Sequence, residues 1–210
     1  MRRHDSASRQ EALQVALSKL EALGVDHWIC NGTLLGLVRD EQLIPWDPDI
    51  DIAVVTDLDK PSLVDSLEDS NFALVDPGIL SDYLIFQYRG HDVDLNLFFE
   101  RDEHLETLWL VPKDNWPSRV ICKVARALRI SPTQVRRFAR LEGYKYLTED
   151  VFPLQHKSVL GINVSFPQSP ERLLEYQYGP SWQIPNQRYR WRKDSPNKAS
   201  AALNREDPNS

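Results

Sequence analysis

Apolar residues recur along the chain with periods of about 3.6 and about 2, which are typical of helices and strands respectively. The clearest helical repeat covers residues 8–23, where a Ser8/Glu11 capping box opens the apolar stripe and Gly24 follows it. The same criteria predict further helices at residues 34–39, 61–68, 105–110, 118–129, 132–146 and 170–178. Helices are therefore expected throughout the chain.

Alternating or wholly apolar runs predict strands between these helices. They lie at residues 26–30, 49–55, 72–76, 82–89 and 91–99, with a β-rich stretch at 151–166. Residues 49–55 alternate at first and then become wholly apolar, as a central strand does when it enters the core. The pattern predicts an α/β (α+β) fold with a mixed sheet flanked by helices. We assign residues 1–194 to one domain and predict that the polar residues 195–210 form a disordered tail.

The composition favours one soluble globular domain. The chain has 210 residues, of which 41% are hydrophobic, so a sizeable core can form. Its 25 Lys and Arg against 31 Asp and Glu give a net charge of -6, which does not favour general binding to nucleic acid or acidic membranes. We find no signal peptide and no apolar run of membrane-spanning length, and we predict a cytoplasmic protein. Cys30 and Cys122 lie in apolar surroundings, where buried, reduced thiols are expected.

Carboxylates gather on two of the predicted strands. Asp47, Asp49 and Asp51 occupy alternate positions at the entrance of strand 49–55, and Asp94 lies on strand 91–99. Two carboxylates about 4 Å apart repel each other by roughly 4 kcal/mol at an effective dielectric constant of about 20, so grouping them is costly without a counter-charge. Such oxygen ligands suit Mg²⁺, with Mn²⁺ as a substitute. The alternative is a solvated strand face whose acids only promote solubility.

The spacing of Asp47, Asp49 and Asp51 also matches the first three ligands of an EF-hand calcium loop. The match ends there, because Ile52 stands where that loop needs glycine and Leu58 where it needs glutamate. The flanking apolar residues also favour a strand over a loop. The sequence therefore argues against an EF-hand.

A Gly32-Thr33 turn before the helix at 34–39 is a second candidate for ligand binding. Glycine at such a turn allows close backbone approach, and the amides of Thr33, Leu34 and Leu35 at a helix start can hold phosphate oxygens. The simpler interpretation is a chain reversal without a ligand. The order of strand, turn, helix and carboxylate strand favours phosphate binding.

Three stretches of the sequence share their pattern with a known family. They read GTLLGLVRDEQLIPWDPDIDIAV from residue 32, HDVDLNLF from residue 91 and VFPLQHKSVLGINVSFPQSPERLLEYQYGPSW from residue 151. In these stretches the chain resembles the LicD family, relatives of fukutin and fukutin-related protein in the nucleotidyltransferase-fold superfamily. The likeness covers about half of the chain. It implies a nucleotidyltransferase-type mixed sheet flanked by helices.

The resemblance implies a Mg²⁺-dependent enzyme that transfers a phosphorylated alcohol, such as phosphocholine or ribitol phosphate. The donor would be CDP-linked, the acceptor a hydroxyl of a glycan or small molecule, and CMP the leaving group. Carried across by position, Asp49, Asp51 and Asp94 would ligate the metal, with Asp47 as an auxiliary acid. Asp94 would also be the general base for the acceptor hydroxyl, with Asp92 in reserve.

The resemblance also implies how the donor is held. Gly32 and Thr33 would cradle the diphosphate, and Arg39 would add a fixed positive charge beside it. The chain departs from the family pattern in two places. The acidic pair Asp40-Glu41 stands where basic residues or His usually follow the arginine, and Pro48 stands where another acid is often found. We therefore expect no second cationic donor contact directly after Arg39, and we expect the outer carboxylate to be held differently from the family pattern.

Three aromatic residues lie near the predicted site in the sequence. Trp46 precedes the acid strand, and Tyr178 and Trp182 flank a Gly-Pro pair. Each ring can stack on cytosine or on a sugar, with packing in the core or in a lid as the alternative.

Residues 119–145 hold eight basic residues and a single acid. Lys123 and Arg126 are candidates to contact donor phosphates or an anionic glycan, with a solvated helix face as the alternative. The pattern of this segment is also similar to that of a helix-turn-helix, which makes a DNA-binding protein a hypothesis from another functional class, although the usual turn glycine is missing.

Among enzymes, the alternative to the CDP-dependent transferase is a nucleotidyltransferase that uses a nucleoside triphosphate to modify a small-molecule hydroxyl. The spacing of the acids alone does not decide which phosphorus atom is attacked.

Overall fold

The computed structural model describes residues 6–201 apart from 56–57, 69–70, 79–80 and 129–131. The helices in this part of the chain are α1 (Ser6–Ala22), α2 (Asn31–Arg39), α3 (Lys60–Glu68), α4 (Trp116–Ala127), α5 (Pro132–Val135), α6 (Thr148–Val151), α7 (Pro170–Tyr178) and α8 (Trp191–Asp194). The strands are β1 (Asp26–Ile29), β2 (Asp49–Val55), β3 (Ala73–Asp76), β4 (Tyr83–Tyr88), β5 (His91–Arg101), β6 (His104–Pro112), β7 (Ala139–Leu147), β8 (Gln155–Val159), β9 (Ile162–Phe166) and β10 (Ala199–Ala201).

Strand β5 is the centre of the sheet because it pairs with three other strands. Its first part runs parallel to β2 and antiparallel to β4, and its last three residues form a hairpin with β6. The main order is β1-β2-β5-β6-β7-β10, with β3 added through β4, while β8 and β9 form a separate pair. Helices pack against this sheet, so the predicted mixed sheet flanked by helices is confirmed.

The core has a large and a small part. In the large part, α1 packs on β1 and β5, and α2 packs on β2 and α7. Trp28 on β1 is fully buried there, with its ring centroid 5.2 Å from that of Phe98 and 6.1 Å from that of Phe152. The small part contains Cys122 and Ala125 of α4, packed against apolar residues of β6 and β7. Helix α4 is therefore anchored through one face.

Residues 105–110 belong to β6, so the helix predicted there is wrong. Leu105 and Leu108 are three residues apart, as in a helical stripe, but Thr107 between them is also completely buried. Burial of neighbouring positions is expected in this strand, because β6 pairs with both β5 and β7 and lies inside the sheet.

The helix predicted at residues 132–146 is also wrong beyond its first turn. Helix α5 ends at Val135, a 3-10 turn follows at Arg136–Phe138, and β7 occupies the rest. Gly143 permits the pairing of β7 with β6, because a Cβ at this position would lie 1.9 Å from the Thr107 carbonyl oxygen. The described residues after α4 form only one α-helical turn and the 3-10 turn before β7, so they provide no recognition helix and the helix-turn-helix hypothesis is wrong.

Smaller differences concern the ends of elements. Helix α2 begins at Asn31, so the turn predicted at 31–33 is its first turn. The helix predicted at 118–129 corresponds to α4, although residue 129 lies outside the described part. Within the predicted tail, Ser195 is buried and β10 pairs with β7, so residues 195–201 are ordered parts of the fold. Residues 202–210 lie outside the described part.

Both cysteines are buried and free, as predicted. Burial raises the pKa of the Cys30 thiol well above its usual value, so the thiol stays protonated at neutral pH. None of the helices that the structure describes is long and apolar enough to cross a membrane.

Candidate active site

Three carboxylates come together where β2 begins. Asp49 and Asp51 are two residues apart on the strand, so their side chains leave the same face of the sheet. Asp47 lies in the preceding loop, and one oxygen from each of the three residues lies within 4.8 Å of the others. We call Asp47, Asp49 and Asp51 the acid cluster. It is compact enough for one divalent cation to contact all three side chains.

Asp94 lies on β5 beside the acid cluster. Because β5 runs parallel to β2, Asp94 is in register with Asp51 and shares its face of the sheet. Asp94 lines the same cleft as the acid cluster. The compact group nevertheless contains Asp47, for which the family resemblance implied only an auxiliary role, and does not contain Asp94. Asp94 therefore lies in the cleft beside the acid cluster without being one of its three closely spaced carboxylates.

Asp92, the second candidate for the general base, forms a hydrogen bond outside the cleft. It is in register with Asp49 on β2, and its Oδ1 accepts a hydrogen bond of 3.1 Å from Gln87 Nε2. It does not line the cleft. Asp94 is the better-placed base of the two.

The start of α2 holds Asp51 in position. The Gly32 amide donates to Asp51 Oδ2 at 3.1 Å, and Asn31 Nδ2 donates to Asp51 Oδ1 at 3.2 Å. The Asp51 amide in turn donates to Thr33 Oγ1 at 2.9 Å. A Cβ on Gly32 would lie 1.9 Å from Asp47 Oδ2, so glycine is the residue that leaves room for this carboxylate. In this structure Gly32 and Thr33 arrange the carboxylates.

The backbone amides at this helix start differ from those predicted to hold phosphate. Because α2 begins at Asn31, the Leu34 amide already donates to the Cys30 carbonyl oxygen at 2.9 Å. Thr33 is buried and does not line the cleft, whereas Gly32 and Leu35 do. A phosphate cradle built from the amides of Thr33 and Leu34 is therefore not formed here.

Burial and mutual repulsion dominate the electrostatics of the acids. The pKa values of Asp47 and Asp94 are each raised to about 8. For both carboxyl groups burial is the largest cause, and the neighbouring Asp49 is the next largest. Burial and the charges of Asp49 and Asp94 raise the pKa of Asp51 as well. Protons therefore offset the repulsion at neutral pH, and a cation can take their place. Closely spaced carboxylate oxygens are the donors that Mg²⁺ prefers, so these residues fit the predicted metal.

Arg9 of α1 supports the acid cluster, and it is not among the site residues predicted from the sequence. Its Nη1 donates to the Ile44 carbonyl oxygen at 2.9 Å, and its Nη2 donates to the Asp49 carbonyl oxygen at 3.2 Å. The residue is only 3% exposed, and this burial lowers its pKa. A signal was present, because Arg9 lies four residues before Leu13 and therefore on the buried stripe of the predicted helix.

The acids open into a cleft of about 1280 Å³. Its lining combines aromatic rings with basic side chains. The rings belong to Trp46, Tyr83, Trp109, Tyr144, Tyr178, Trp182, Tyr189 and Trp191, and the basic side chains to Arg39, Arg119, Arg190, Arg192 and Lys193. The cleft thus offers ligands for a cation, positive charge for an anion and flat surfaces for a base or sugar.

The three aromatic residues singled out in the sequence all line this cleft: Trp46, Tyr178 and Trp182. Tyr178 also packs on Tyr189, with ring centroids 4.8 Å apart. Arg39 lines the cleft too, but its side chain is 7% exposed and forms an ion pair of 2.6 Å with Asp40. The charge of Arg39 is therefore shared with the acid that follows it.

The basic candidates on α4 are placed differently. Lys123 is exposed and does not line the cleft, and the side chain of Arg126 lies outside what the structure describes. Arg119, one turn earlier, does line the cleft. Arg190 and Lys193 also line it and were missed, although the run RYRWRK at residues 188–193 is a visible signal in the sequence.

Comparison with known proteins shows one family. The family model described as "LicD/FKTN/FKRP, nucleotidyltransferase domain" matches residues 24–169. The chain is 25% identical over 194 residues to the ribitol-5-phosphate transferase FKTN of Homo sapiens, and this match covers 90% of the chain and 36% of the relative. It is 28% identical over 190 residues to the FKTN protein of Mus musculus, with the same coverage. The ribitol 5-phosphate transferase FKRP of Mus musculus is 28% identical over 116 residues, which cover 51% of the chain and 22% of that protein.

Among solved structures, the chain is similar to the crystal structure of ANT(2")-Ia in complex with adenylyl-2"-tobramycin. The TM-score is 0.38 and the sequence identity is 16%, and the match covers 48% of this chain and 55% of that one.

The chain spans about a third of the length of the FKTN proteins it matches. The family model covers well over half of the chain and includes β2 and β5 with their acids. The chain therefore belongs to the LicD/FKTN/FKRP family and carries its nucleotidyltransferase domain.

Proposed function

We propose that this chain is a Mg²⁺-dependent phosphotransferase. It moves a phosphorylated alcohol, either phosphocholine or an alditol phosphate such as ribitol phosphate, from a CDP-linked donor to a hydroxyl of a glycan or small molecule. CMP is released. The proposal is supported chiefly by the acid cluster beside Asp94 in a large cleft, in a chain similar to proteins named ribitol-5-phosphate transferases.

The carboxylates have different roles in the proposed reaction. The acid cluster would hold the cation, which when bound would supply positive charge for the donor diphosphate and favour the ionised form of nearby acids. Asp94 accepts the proton of the acceptor hydroxyl. The acceptor oxygen then bonds to the phosphorus that carries the alcohol, the bond from this phosphorus to CMP breaks, and CMP leaves with the electron pair.

The remaining lining residues position the donor. Trp46 and Trp182 stack on the cytosine or on a sugar, since both rings face the cleft. Arg119 and Arg190 offer positive charge to phosphate oxygens, and Arg39 adds a charge that Asp40 partly offsets. Gly32 acts indirectly by keeping Asp47 and Asp51 close together.

The test is a substrate panel. The protein is incubated with Mg²⁺ and CDP-ribitol, CDP-choline or CDP-glycerol together with sugar acceptors, and separately with nucleoside triphosphates. CMP release that depends on the acceptor supports the proposal. Pyrophosphate release from a triphosphate would instead support nucleotidyl transfer, and the proposal would be wrong.

Matched substitutions link the activity to the site. Asp51→Asn and Asp94→Asn should each lower turnover by a factor of roughly a thousand or more, because they remove a metal-site charge and the base. Asp26→Asn is the control, since Asp26 is exposed on β1. Wild-type rates in Asp51→Asn or Asp94→Asn would contradict these roles.

A further inference from the structure

Helix α4 carries an apolar ridge on its exposed face. Trp116, Val120, Val124 and Leu128 follow one another at intervals of four residues, so they lie along one side of the helix and its final turn. Their exposed fractions are 76%, 50%, 48% and 67% respectively. The opposite face of α4 is the one that packs on β6 and β7. The ridge is therefore a surface feature that lies outside the small part of the core.

Positive charge accompanies this ridge. Arg119 and Lys123 lie one residue before Val120 and Val124, so the two cations line one side of it, and Lys123 is exposed. The sequence from residue 115 to residue 141 contains no Asp or Glu. The whole chain has a net charge of -6, so this basic patch contrasts with the rest of the protein.

An apolar ridge flanked by cations is the pattern of helices that lie in the headgroup region of a bilayer. In such helices Trp, Leu and Val enter the boundary between headgroups and acyl chains, while Lys and Arg attract anionic lipids. A second copy of this chain would bring like charges together, and nucleic acid would leave the apolar side chains without contacts.

We propose that the exposed face of α4, formed by Trp116, Val120, Lys123 and Val124, docks together with Leu128 in the turn that follows on the surface of an anionic lipid bilayer. Arg119 lies on the same helix and lines the cleft. Docking through α4 therefore brings the cleft close to the lipid surface. The inference concerns binding only and does not depend on the proposed transfer reaction.

The experiment is co-sedimentation of the full chain with lipid vesicles. One set of vesicles contains phosphatidylcholine alone, and the other contains about 30% phosphatidylglycerol. We expect pelleting with the anionic vesicles and roughly tenfold weaker binding without the anionic lipid. Raising NaCl from about 0.05 M to about 0.5 M should weaken the binding further, because salt screens the attraction.

Two variants test the apolar and the basic side chains of this surface separately. Trp116→Ala/Val124→Ser removes apolar side chains, and Lys123→Glu reverses a charge; each should lower the partition coefficient roughly tenfold. The exposed positions leave the fold intact, which circular dichroism checks. Val75→Ser and Arg101→Glu are matched controls, since Val75 is exposed on β3 and Arg101 is exposed on β5.

Three results would overturn the proposal. They are failure to pellet with anionic vesicles, equal binding by the ridge variant and the wild type, and equal losses in the controls. Sedimentation velocity without lipid provides a further check. Self-association that the ridge variant abolishes would assign this face to a second copy of the chain.

Discussion

Gly32 sets the distance between the start of α2 and two carboxylates. Its amide donates to Asp51, and its Cα leaves the space that Asp47 occupies. We expect Gly32→Ala to lower the affinity for Mg²⁺ roughly tenfold, because the new methyl group would displace the Asp47 carboxylate. Isothermal titration calorimetry with Mg²⁺ measures this effect.

The Asp47→Ala background shows whether the clash is the cause. If Gly32→Ala acts by displacing Asp47, it should have little further effect on Mg²⁺ affinity once that carboxylate is absent. An equal loss in both backgrounds would mean that Gly32 acts through the helix start or through Asp51.

Asp94 is expected to lower the stability of the metal-free protein. Burial and the surrounding acids raise its pKa to about 8, so its ionised form is unfavourable in the folded state. We predict that Asp94→Asn raises the melting temperature of the metal-free protein by about 2–4 °C, the shift expected for about 1 kcal/mol in a chain of this size. Differential scanning calorimetry with EDTA tests this, and a lower melting temperature would contradict the electrostatic account.

Some residues of the site can be predicted from the sequence, and others cannot. Asp49, Asp51 and Asp94 follow from local alternation, because the face on which a strand residue lies depends on its neighbours. The role of Arg9 depends on where α1 packs against a loop some 35 residues away along the chain. That packing is tertiary, and a cation on a predicted amphipathic helix is ordinarily interpreted as a surface residue.

At the scale of elements, the errors fall on strands inside the sheet. Segments 105–110 and 139–146 contain apolar residues at helical spacing, but pairing of β6 with β7 overrides this local preference. Gly143 is the residue in the sequence that argues against the predicted helix, because glycine is unfavourable inside a helix. In the structure it permits the close approach of the Thr107 carbonyl group. By contrast, α7 was predicted correctly, because Pro170 at its start and Gly179 after its end are local signals.

The strand β10 leads to a prediction about the end of the chain. It covers the edge of β7, and Ser195 before it is buried, with its hydroxyl accepting a hydrogen bond of 3.3 Å from Tyr144. A chain ending at residue 194 should lose about 2 kcal/mol of unfolding free energy, because these hydrogen bonds are lost. Urea denaturation measures the loss. A chain ending at residue 201 is the control, and equal stability of the two chains would show that the contact contributes nothing.

For the whole molecule, the acids predict how stability depends on pH. The pKa values of Asp47 and Asp94 are about 8 in the folded protein and 3.8 as the reference for the unfolded chain. The folded state therefore binds more protons between these values, and the contribution of the acids to stability falls as pH rises from about 4 to about 8. Melting temperatures across this window in EDTA should reveal the fall.

Mg²⁺ should offset this loss of stability at higher pH. A cation in the acid cluster replaces the protons, so the melting temperature should rise on addition of Mg²⁺, and more at pH about 8 than at pH about 5. Asp47→Asn/Asp94→Asn should reduce the pH dependence in EDTA, with Asp51 contributing the remainder. An increase in stability with pH in the metal-free wild type would contradict the assignment of these pKa values.

The position of Arg9 also has a practical consequence. The family model begins at residue 24, so a fragment trimmed to its limits would keep every carboxylate of the site but lose the guanidinium that fixes the loop before β2. Arg9 lies about one helical turn from the start of α1 at Ser6. A fragment made for expression should therefore include α1, so that Arg9 keeps its hydrogen bonds to the Ile44 and Asp49 carbonyl oxygens beside the acid cluster.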